Sequence, residues 1–161
     1  MTGEVVQVSI STGGVPNHAI GSARVTSRGI EGDGWRHPQI HGIPKRAILL
    51  ITAEGLDEIN AMGFPVYPGA LGENLTTRGL DRRALRIGQR FRCGTSAIQL
   101  TALRLPCGTL SIYGKRIQAA IYDSRAMKGD PSSEVWGLSG IYASVIEAGV
   151  VEPGDPIILF T

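Results

Sequence analysis

Short runs of apolar residues that alternate with polar ones recur along this chain, with glycine and proline between them. Residues 4–10, EVVQVSI, alternate in this way and predict a first strand, and residues 21–30 predict a second strand that ends at Gly29. Residues 47–51, AILLI, are entirely apolar, which is typical of a strand buried on both faces. The later part of the chain predicts four further strands: residues 85–94 and 96–103, joined by a turn at Gly94, then 139–149 and 155–160.

Helical periodicity is confined to two segments. Residues 52–62 place Leu56, Ile59 and Met62 on one face, and Thr52 can cap the amino-terminal end of this helix. Residues 116–127 show a weaker helical pattern. Strands therefore outnumber helices, so we predict a mainly β protein, a closed or partly open β-barrel with a few short helices.

Length and charge narrow the class of protein further. The 161 residues predict a single domain over residues 1–161. The net charge is only +2 and the arginines are spread along the chain, which argues against a nucleic-acid partner. The first residues lack the pattern of a signal peptide, and no apolar stretch reaches the length of a membrane span. We therefore expect a cytoplasmic protein with no membrane partner. The two cysteines do not make a disulfide framework, so we expect both to be free thiols.

Residues 31–46 have no periodicity and concentrate polar side chains between glycines and prolines. Three interpretations of this loop stay open. His37 and His41 could bind zinc, although the local glycines and proline disfavour the helix that would bring them together. Asp33 and the histidines could instead satisfy amide groups of the loop. Lys45 and Arg46, beside a flexible backbone, could bind phosphate or carboxylate.

A second polar cluster lies in residues 67–80, YPGALGENLTTRGL. Its glycines free the backbone, and Glu73 and Asn74 follow just before a predicted strand. Exposed amide groups and an asparagine can orient a polar ligand. The same two residues could equally be turn residues that fix a hairpin, so both interpretations stay open.

The third cluster is LRLPCGTL, residues 103–110, where Cys107 lies between Pro106 and Gly108. Proline fixes its own φ and glycine permits unusual φ, so we expect a bend that presents the thiol outward from a strand end. The positive charge of Arg104 favours the thiolate, which can bind a soft metal, attack an electrophile or carry sulfur. Cys93, in contrast, follows a regular strand pattern and is expected to be structural.

Four segments, in their order along the chain, resemble the MOSC domain, which is named after the C-terminal domain of molybdenum-cofactor sulfurases. They are GIEGDGWRH, IHGIPKRAILL, PGALGENLTTRGLDRRALRIGQRFRCG and IQLTALRLPCGTL. The ending VWGLSGIYASVIEAGVVEPGDPIIL resembles short, stand-alone bacterial members. The resemblance implies a barrel-like fold and a cysteine, here Cys107, that ligates molybdenum or carries sulfur. His41 and Arg46 match the family pattern HGGPDRA, whereas Lys45 replaces an acidic residue in it.

The resemblance also implies three possible activities, all of which stay open. The protein could reduce N-hydroxylated purines or amines with the molybdenum cofactor (molybdopterin), carry a persulfide on Cys107, or bind the cofactor without turnover. The chain lacks a ferredoxin-like cysteine cluster, so electrons or sulfur are expected from a separate donor protein, and the substrate is expected to be a small molecule. Proton donation is assigned to His41 or Glu73. The residues expected to bind the cofactor are His41, Lys45, Arg46, Glu73, Asn74 and Arg104.

In an extended strand, alternate side chains point to opposite faces. Arg104 and Pro106 should therefore lie on one side and Leu105 and Cys107 on the other. On this basis Arg104 need not touch the sulfur, and it is expected to hold the cofactor's phosphate or to attract an anionic ligand.

Overall fold

A computed structural model of the chain describes residues 1–34 and 43–161, and this part is built mainly of strands. The strands are β1 (Thr2–Ile10), β2 (His18–Ile20), β3 (Ala23–Thr26), β4 (Gly29–Ile30), β5 (Ile48–Thr52), β6 (Leu75–Arg78), β7 (Arg90–Cys93), β8 (Ser96–Leu103), β9 (Ile141–Glu147), β10 (Gly149–Val151) and β11 (Pro156–Phe160). The α-helices are short: α1 (Ala53–Ala61), α2 (Ile117–Ile121) and α3 (Ser124–Met127). Single 3-10 turns cover Pro44–Arg46, Arg82–Ala84 and Gly108–Tyr113.

Seven of the strands close into a barrel in the order β11-β7-β8-β9-β5-β6-β1, because β1 also pairs with β11. All neighbours in the barrel are antiparallel except β5 and β6, which α1 connects as a crossover. Strand β2 extends the sheet beside β1, and β10, β3 and β4 form a separate small sheet. The predicted mainly β, barrel-type fold is thus confirmed in its closed form.

Two apolar clusters hold the fold together. One fills the barrel and includes Ile48 and Leu50 of β5, whereas Ile51 of the same strand belongs to the second cluster outside the barrel. That outer cluster also contains Leu56 and Ile59 of α1. Strand β5 is therefore covered on both faces, which is the physical reason for its uninterrupted apolar sequence.

The structure changes several predicted elements, including the three described next, and it adds β2 and β10. The predicted strand 21–30 is a hairpin of β3 and β4. The predicted helix 116–127 is two helices, because the Asp123 side chain caps α3 by accepting a hydrogen bond from the Ala126 N–H. The cap of α1 is confirmed, since Thr52 accepts from the Gly55 N–H, but Met62 lies at the helix end and is exposed.

Candidate functional site

A cavity of about 400 Å³ opens at one end of the barrel, where β1 and β8 end and where β5, β6 and β9 begin. Its walls come from segments that are distant in sequence but converge at this end: 11–17, 33–34, 46–49, 72–74 and 103–109. The volume is that of a site for a small molecule or cofactor. All three polar clusters noted in the sequence contribute to its walls.

Cys107 lies on this wall just beyond β8, and it is exposed while Pro106 is buried. Its Sγ is 2.7 Å from the Oγ1 of Thr109. Partial burial raises the pKa of the thiol, but the Thr109 hydroxyl and N–H and the charge and hydrogen bonding of Arg104 outweigh it, so the pKa is lowered. Cys107 is therefore exposed at the strand end, as predicted, and its pKa is shifted in the direction that favours the thiolate. Gly108 does not have a positive φ, and its contribution is open space beside the thiol.

Arg104 is buried at the same wall and is only 5% exposed. Its Nη1 donates to the Ser139 carbonyl at 3.2 Å. Among residues 1–34 and 43–161, no carboxylate forms an ion pair with Arg104. The expected alternation is observed, because Arg104 is buried and Leu105 is 68% exposed. The guanidinium nevertheless acts on the sulfur, since it lowers the pKa of Cys107.

Arg46 reaches the cavity from the 3-10 turn before β5 and lies over the ring of Tyr142, 5.4 Å from its centroid. This contact is a cation–π interaction that keeps the positive charge at the cavity wall. Burial raises the pKa of Tyr142, although the charges of Arg104 and Arg46 act in the opposite direction. The neighbouring Lys45 is exposed and does not line the cavity, and its carbonyl accepts a hydrogen bond from Thr101.

Asn74 connects several walls of the cavity. Its Oδ1 accepts from the Leu49 N–H at 3.0 Å, and its Nδ2 donates to the Ser9 carbonyl and to the Asp33 carboxylate. These contacts join β1, the start of β5 and the turn after β4. Asn74 therefore positions the wall as well as lining it.

Glu73 lies beside Asn74 in sequence but points into the protein, and it is fully buried away from the cavity lining. Its carboxylate accepts hydrogen bonds from the Leu71 N–H and from the Thr76 hydroxyl, each at 3.2 Å. Burial raises its pKa. This environment fits the turn-fixing interpretation of Glu73, and the structure does not bring its carboxylate to the cavity wall.

The two histidines of the candidate zinc site, His37 and His41, lie outside the described residues. The assignment of His41 to cofactor binding or proton donation therefore stays a prediction. Within residues 1–34 and 43–161, no group of three or more His, Cys, Asp or Glu side chains is arranged to hold a metal ion.

Cys93 is buried in β7, and burial together with the charge of Asp155 raises its pKa to about 12. Both cysteines are free, as predicted. Cys93 is thus a core residue whose thiol stays protonated, in contrast to Cys107.

Sequence reasoning missed Tyr142 and did not assign Asp33 to the site. Tyr142 belongs to β9, where its place in an apolar strand gives no signal of a cavity position. Asp33 was noted in its loop, but only the fold shows that its carboxylate faces Asn74 from another part of the chain. Such contacts depend on the barrel topology and not on local sequence.

Comparison with known proteins agrees with this architecture. The model of the MOSC domain matches residues 37–158. The uncharacterized protein YflK of Bacillus subtilis (strain 168) is 30% identical over 149 residues, which cover 90% of this chain and 62% of YflK. The protein YiiM of Escherichia coli (strain K12) is 35% identical over 99 residues, 58% of this chain and 43% of YiiM. The chain thus spans less than two thirds of the length of the curated relatives it matches.

Solved structures show the same fold. The crystal structure of YiiM from Escherichia coli has a TM-score of 0.69 at 27% identity and covers the whole of this chain and 70% of that protein. A crystal structure of a hypothetical protein has a TM-score of 0.74 at 26% identity and covers all of this chain and 69% of its own. Among the described helices, none has the length and apolar character that a membrane crossing needs.

Proposed function

Because this chain belongs to the MOSC domain family, which is associated with the molybdenum cofactor, we propose that its cavity binds that cofactor with the Cys107 thiolate on molybdenum. The proposed activity is the reduction of N-hydroxylated compounds, with electrons from a separate donor protein, and the proposed setting is the cytoplasm. One observation carries the proposal: an exposed thiol with a lowered pKa shares a cavity with a buried guanidinium that no described carboxylate neutralises.

The residues on the cavity wall suit the cofactor in three respects. A thiolate is a soft ligand of the kind that molybdenum in a dithiolene centre accepts. Arg46 and Arg104 supply guanidinium groups, which bind phosphate well. The volume of about 400 Å³ lies in the range of cofactor sites. When bound, the cofactor would supply two-electron oxygen-atom chemistry at the metal.

The chain's own residues would hold and orient the cofactor. Cys107 is presented by the backbone that follows β8, and Thr109 fixes the sulfur through its hydroxyl group at 2.7 Å. Arg104 favours the anionic form of the sulfur from the buried side, and the guanidinium of Arg46 lies at the cavity wall over the ring of Tyr142. The exposure of Cys107 leaves a solvent-facing side from which a substrate can approach.

A second candidate function rests on the same exposure of Cys107. A thiolate open to solvent can attack the terminal sulfur of a donor protein's persulfide. The new bond joins that sulfur to Cys107, the donor's sulfur–sulfur bond breaks, and the donor leaves as a thiolate. The chain would then carry sulfur on Cys107 without a bound metal.

Molybdenum content separates these functions. The wild type and three variants, Cys107→Ser, Cys93→Ala and Arg46→Gln, are purified from a host that makes the cofactor, and molybdenum and oxidised pterin are measured per chain. We expect both in the wild type and in Cys93→Ala, molybdenum lost from Cys107→Ser, and weaker retention in Arg46→Gln. A wild type without molybdenum, whose intact mass includes one extra sulfur that a reductant removes, would instead establish the carrier.

A further inference from the structure

Two aliphatic side chains lie exposed on either side of Cys107: Leu105 is 68% exposed and Ile112 is 66% exposed. Leu105 and Cys107 are alternate residues of the segment that leaves β8, so their side chains share one side of it. Thr109 and Ile112 occupy positions i and i+3 of the 3-10 turn Gly108–Tyr113, where side chains at this spacing lie one above the other. Because the Thr109 hydroxyl is 2.7 Å from the Cys107 Sγ, the side chains form one strip. We call Leu105, Cys107, Thr109 and Ile112 the rim strip.

The rim strip is exposed although its backbone is firmly held. Leu110, in the same turn, is fully buried in the outer apolar cluster. Tyr113 ends the turn and donates its hydroxyl group to the Ala70 carbonyl at 2.7 Å. Gln118 of α2 donates to the Pro106 carbonyl at 3.0 Å, which fastens α2 beside the segment that carries the thiol. The exposed aliphatic groups are therefore a fixed feature of the surface, and apolar groups with a polar border are typical of interaction sites.

Positive charge borders the rim strip on the side of α2. Lys115 and Arg116 come directly before α2, both are exposed, and neither forms an ion pair with any residue of 1–34 or 43–161. Gln118, which binds the Pro106 carbonyl, follows closely in the same helix, so these charges lie near the segment of the thiol. The sequence of residues 82–122 contains no aspartate or glutamate to offset them. The charge therefore favours an acidic partner.

The size of the rim strip suits a brief contact rather than a permanent one. Its apolar part consists of two aliphatic side chains, which is far less than a stable complex buries. Small contacts with charged borders are typical of electron-transfer complexes, in which charge attraction speeds the encounter. Reduction of an N–OH group to N–H takes two electrons and two protons and releases water. A carrier that is oxidised by one electron at each docking must therefore arrive, leave and be replaced within every turnover.

We propose that the rim strip, together with Lys115 and Arg116, is the docking surface for a small acidic one-electron carrier protein. The need for electrons rests on the proposed function, and the inference adds the place where the donor binds and the chemistry of its surface. Acidic groups of the carrier would face Lys115 and Arg116, and an apolar patch around its redox centre would cover Leu105 and Ile112. The redox centre would then lie over Cys107, at the open side of the cavity.

Binding to the metal-free full chain tests this surface without any catalysis. The protein is purified from a host that cannot make the cofactor and is titrated with two acidic carriers, a plant-type [2Fe–2S] ferredoxin and a flavodoxin. The basic carrier cytochrome c serves as the opposite-charge probe. Affinity is measured by calorimetry at low and at high ionic strength for the wild type, Lys115→Glu, Arg116→Glu and Ile112→Ser. None of these three residues lines the cavity.

Two matched control variants lie at the other end of the barrel. The cavity lies where β6 begins, and Arg83 is exposed in the 3-10 turn that follows β6, so Arg83→Glu reverses one charge away from the rim strip. Ile158→Ser removes an exposed aliphatic side chain that lies opposite Thr2, at the start of β1. Folding of every variant is checked by its circular dichroism spectrum.

We expect Lys115→Glu and Arg116→Glu each to weaken the binding of both acidic carriers about fivefold at low ionic strength and less at high ionic strength, because salt screens exposed charges. Ile112→Ser should weaken binding about fivefold at both ionic strengths, because an apolar contact is not screened. Arg83→Glu and Ile158→Ser should bind as the wild type does.

The inference is overturned if neither acidic carrier binds the wild type, if cytochrome c binds as tightly, or if the folded rim variants bind as well as the wild type. Equal losses in the control variants would also overturn it, because the charge of the whole chain would then explain the binding. Self-association of the wild type that Ile112→Ser abolishes, without binding of either carrier, would assign the rim strip to a second copy of the chain instead.

These outcomes are separate from the test of the proposed function. A chain that binds both carriers as expected but never acquires molybdenum would lose the proposed function and keep the docking surface. A chain that holds molybdenum and reduces an N-hydroxylated compound with a chemical reductant, but binds the carriers equally in the wild type and the rim variants, would keep the function and lose the docking surface.

Discussion

Arg104 and Cys107 show how single residues set the chemistry of the cavity. A buried guanidinium is costly unless an anion or several acceptors compensate it, and the guanidinium of Arg104 donates to the main-chain carbonyl of Ser139. The nearby thiol supplies the missing negative charge when it ionises. The guanidinium therefore favours the charged form of the thiol, although the sequence spacing alone predicts that the two side chains point to opposite sides.

Thr109→Val should slow the alkylation of Cys107 by iodoacetamide at neutral pH about tenfold. This factor corresponds to the free energy of one hydrogen bond to a charged group. The thiolate is the reactive form, and loss of the hydroxyl at 2.7 Å raises the pKa of Cys107, so the rate profile moves to higher pH. Thr109→Ser keeps the hydroxyl and should react like the wild type. Equal profiles for all three proteins would refute the role of Thr109.

The same reagent separates the two cysteines. Native protein should incorporate label at Cys107 only, because Cys93 is buried and its pKa is raised to about 12. Denatured protein should incorporate label at both. Peptide mass spectrometry after labelling checks this, and labelling of Cys93 in the native state would contradict its place in the core.

At the scale of elements, the site depends on loops that are fixed by buried polar contacts. Glu73 holds the turn before β6 by accepting from its N–H groups, and Arg82 holds residues 134–136 against α1. Arg82 joins segments that are far apart in the chain, whereas the contact of Glu73 lies within a tight turn. The sequence could not reveal them, because neither a lone glutamate nor a lone arginine carries a local pattern.

Glu73→Gln should remove a pH dependence of stability. Burial raises the folded-state pKa of Glu73 above its ordinary value of 4.5, so the native protein binds this proton more tightly than the unfolded chain. Its contribution is therefore full below pH 4.5 and is lost as the pH rises through the folded-state pKa. Urea unfolding across this range should show the wild type losing stability relative to Glu73→Gln, and a constant difference would contradict the raised pKa of the buried carboxyl.

Arg82→Met should lower the free energy of unfolding by about 3 kcal/mol. The guanidinium is 4% exposed, pairs with Glu58 through two hydrogen bonds and donates to the Trp136 carbonyl at 2.6 Å. Removing it leaves that buried carbonyl without its donor. Arg83→Met, at the exposed neighbouring position, should change stability by less than about 0.5 kcal/mol in the same urea titrations. Equal losses in the two variants would show that the network does not hold α1.

For the whole molecule, the sequence predicts strand content and barrel class well but not the order of the strands. The structure confirms three local signals of the sequence: the alternation of β1, the apolar run of β5, and the hairpin of β7 and β8. Closure of β1 on β11 joins the two ends of the chain, and no local pattern specifies it. The cavity arises from that closure and from the strand order, so sequence could name Cys107 and its neighbours but could not assemble their surroundings.

Gly3→Ala should crowd β1 against the end of β6 and destabilise the protein by about 1–3 kcal/mol. Gly3 lies in β1 opposite Ile157 of β11, and a Cβ there would be 2.6 Å from the Arg78 carbonyl oxygen. Gly21→Ala is the matched control, because a Cβ at Gly21 has no atom within 4 Å among the described residues. Thermal and urea unfolding should show the loss in Gly3→Ala alone. Unchanged stability would mean that this approach of the strands is not tight.

The central claim, that Cys107 in this cavity binds the molybdenum of the cofactor, is tested most directly by X-ray absorption at the molybdenum edge. The wild type and Cys107→Ser are loaded in the same cofactor-producing host, and the sulfur ligands of the metal are counted in each. We expect the molybdenum of the wild type to have one more sulfur ligand than any molybdenum that Cys107→Ser retains. The same number of sulfur ligands in both proteins, or a wild type that holds no molybdenum, would contradict it.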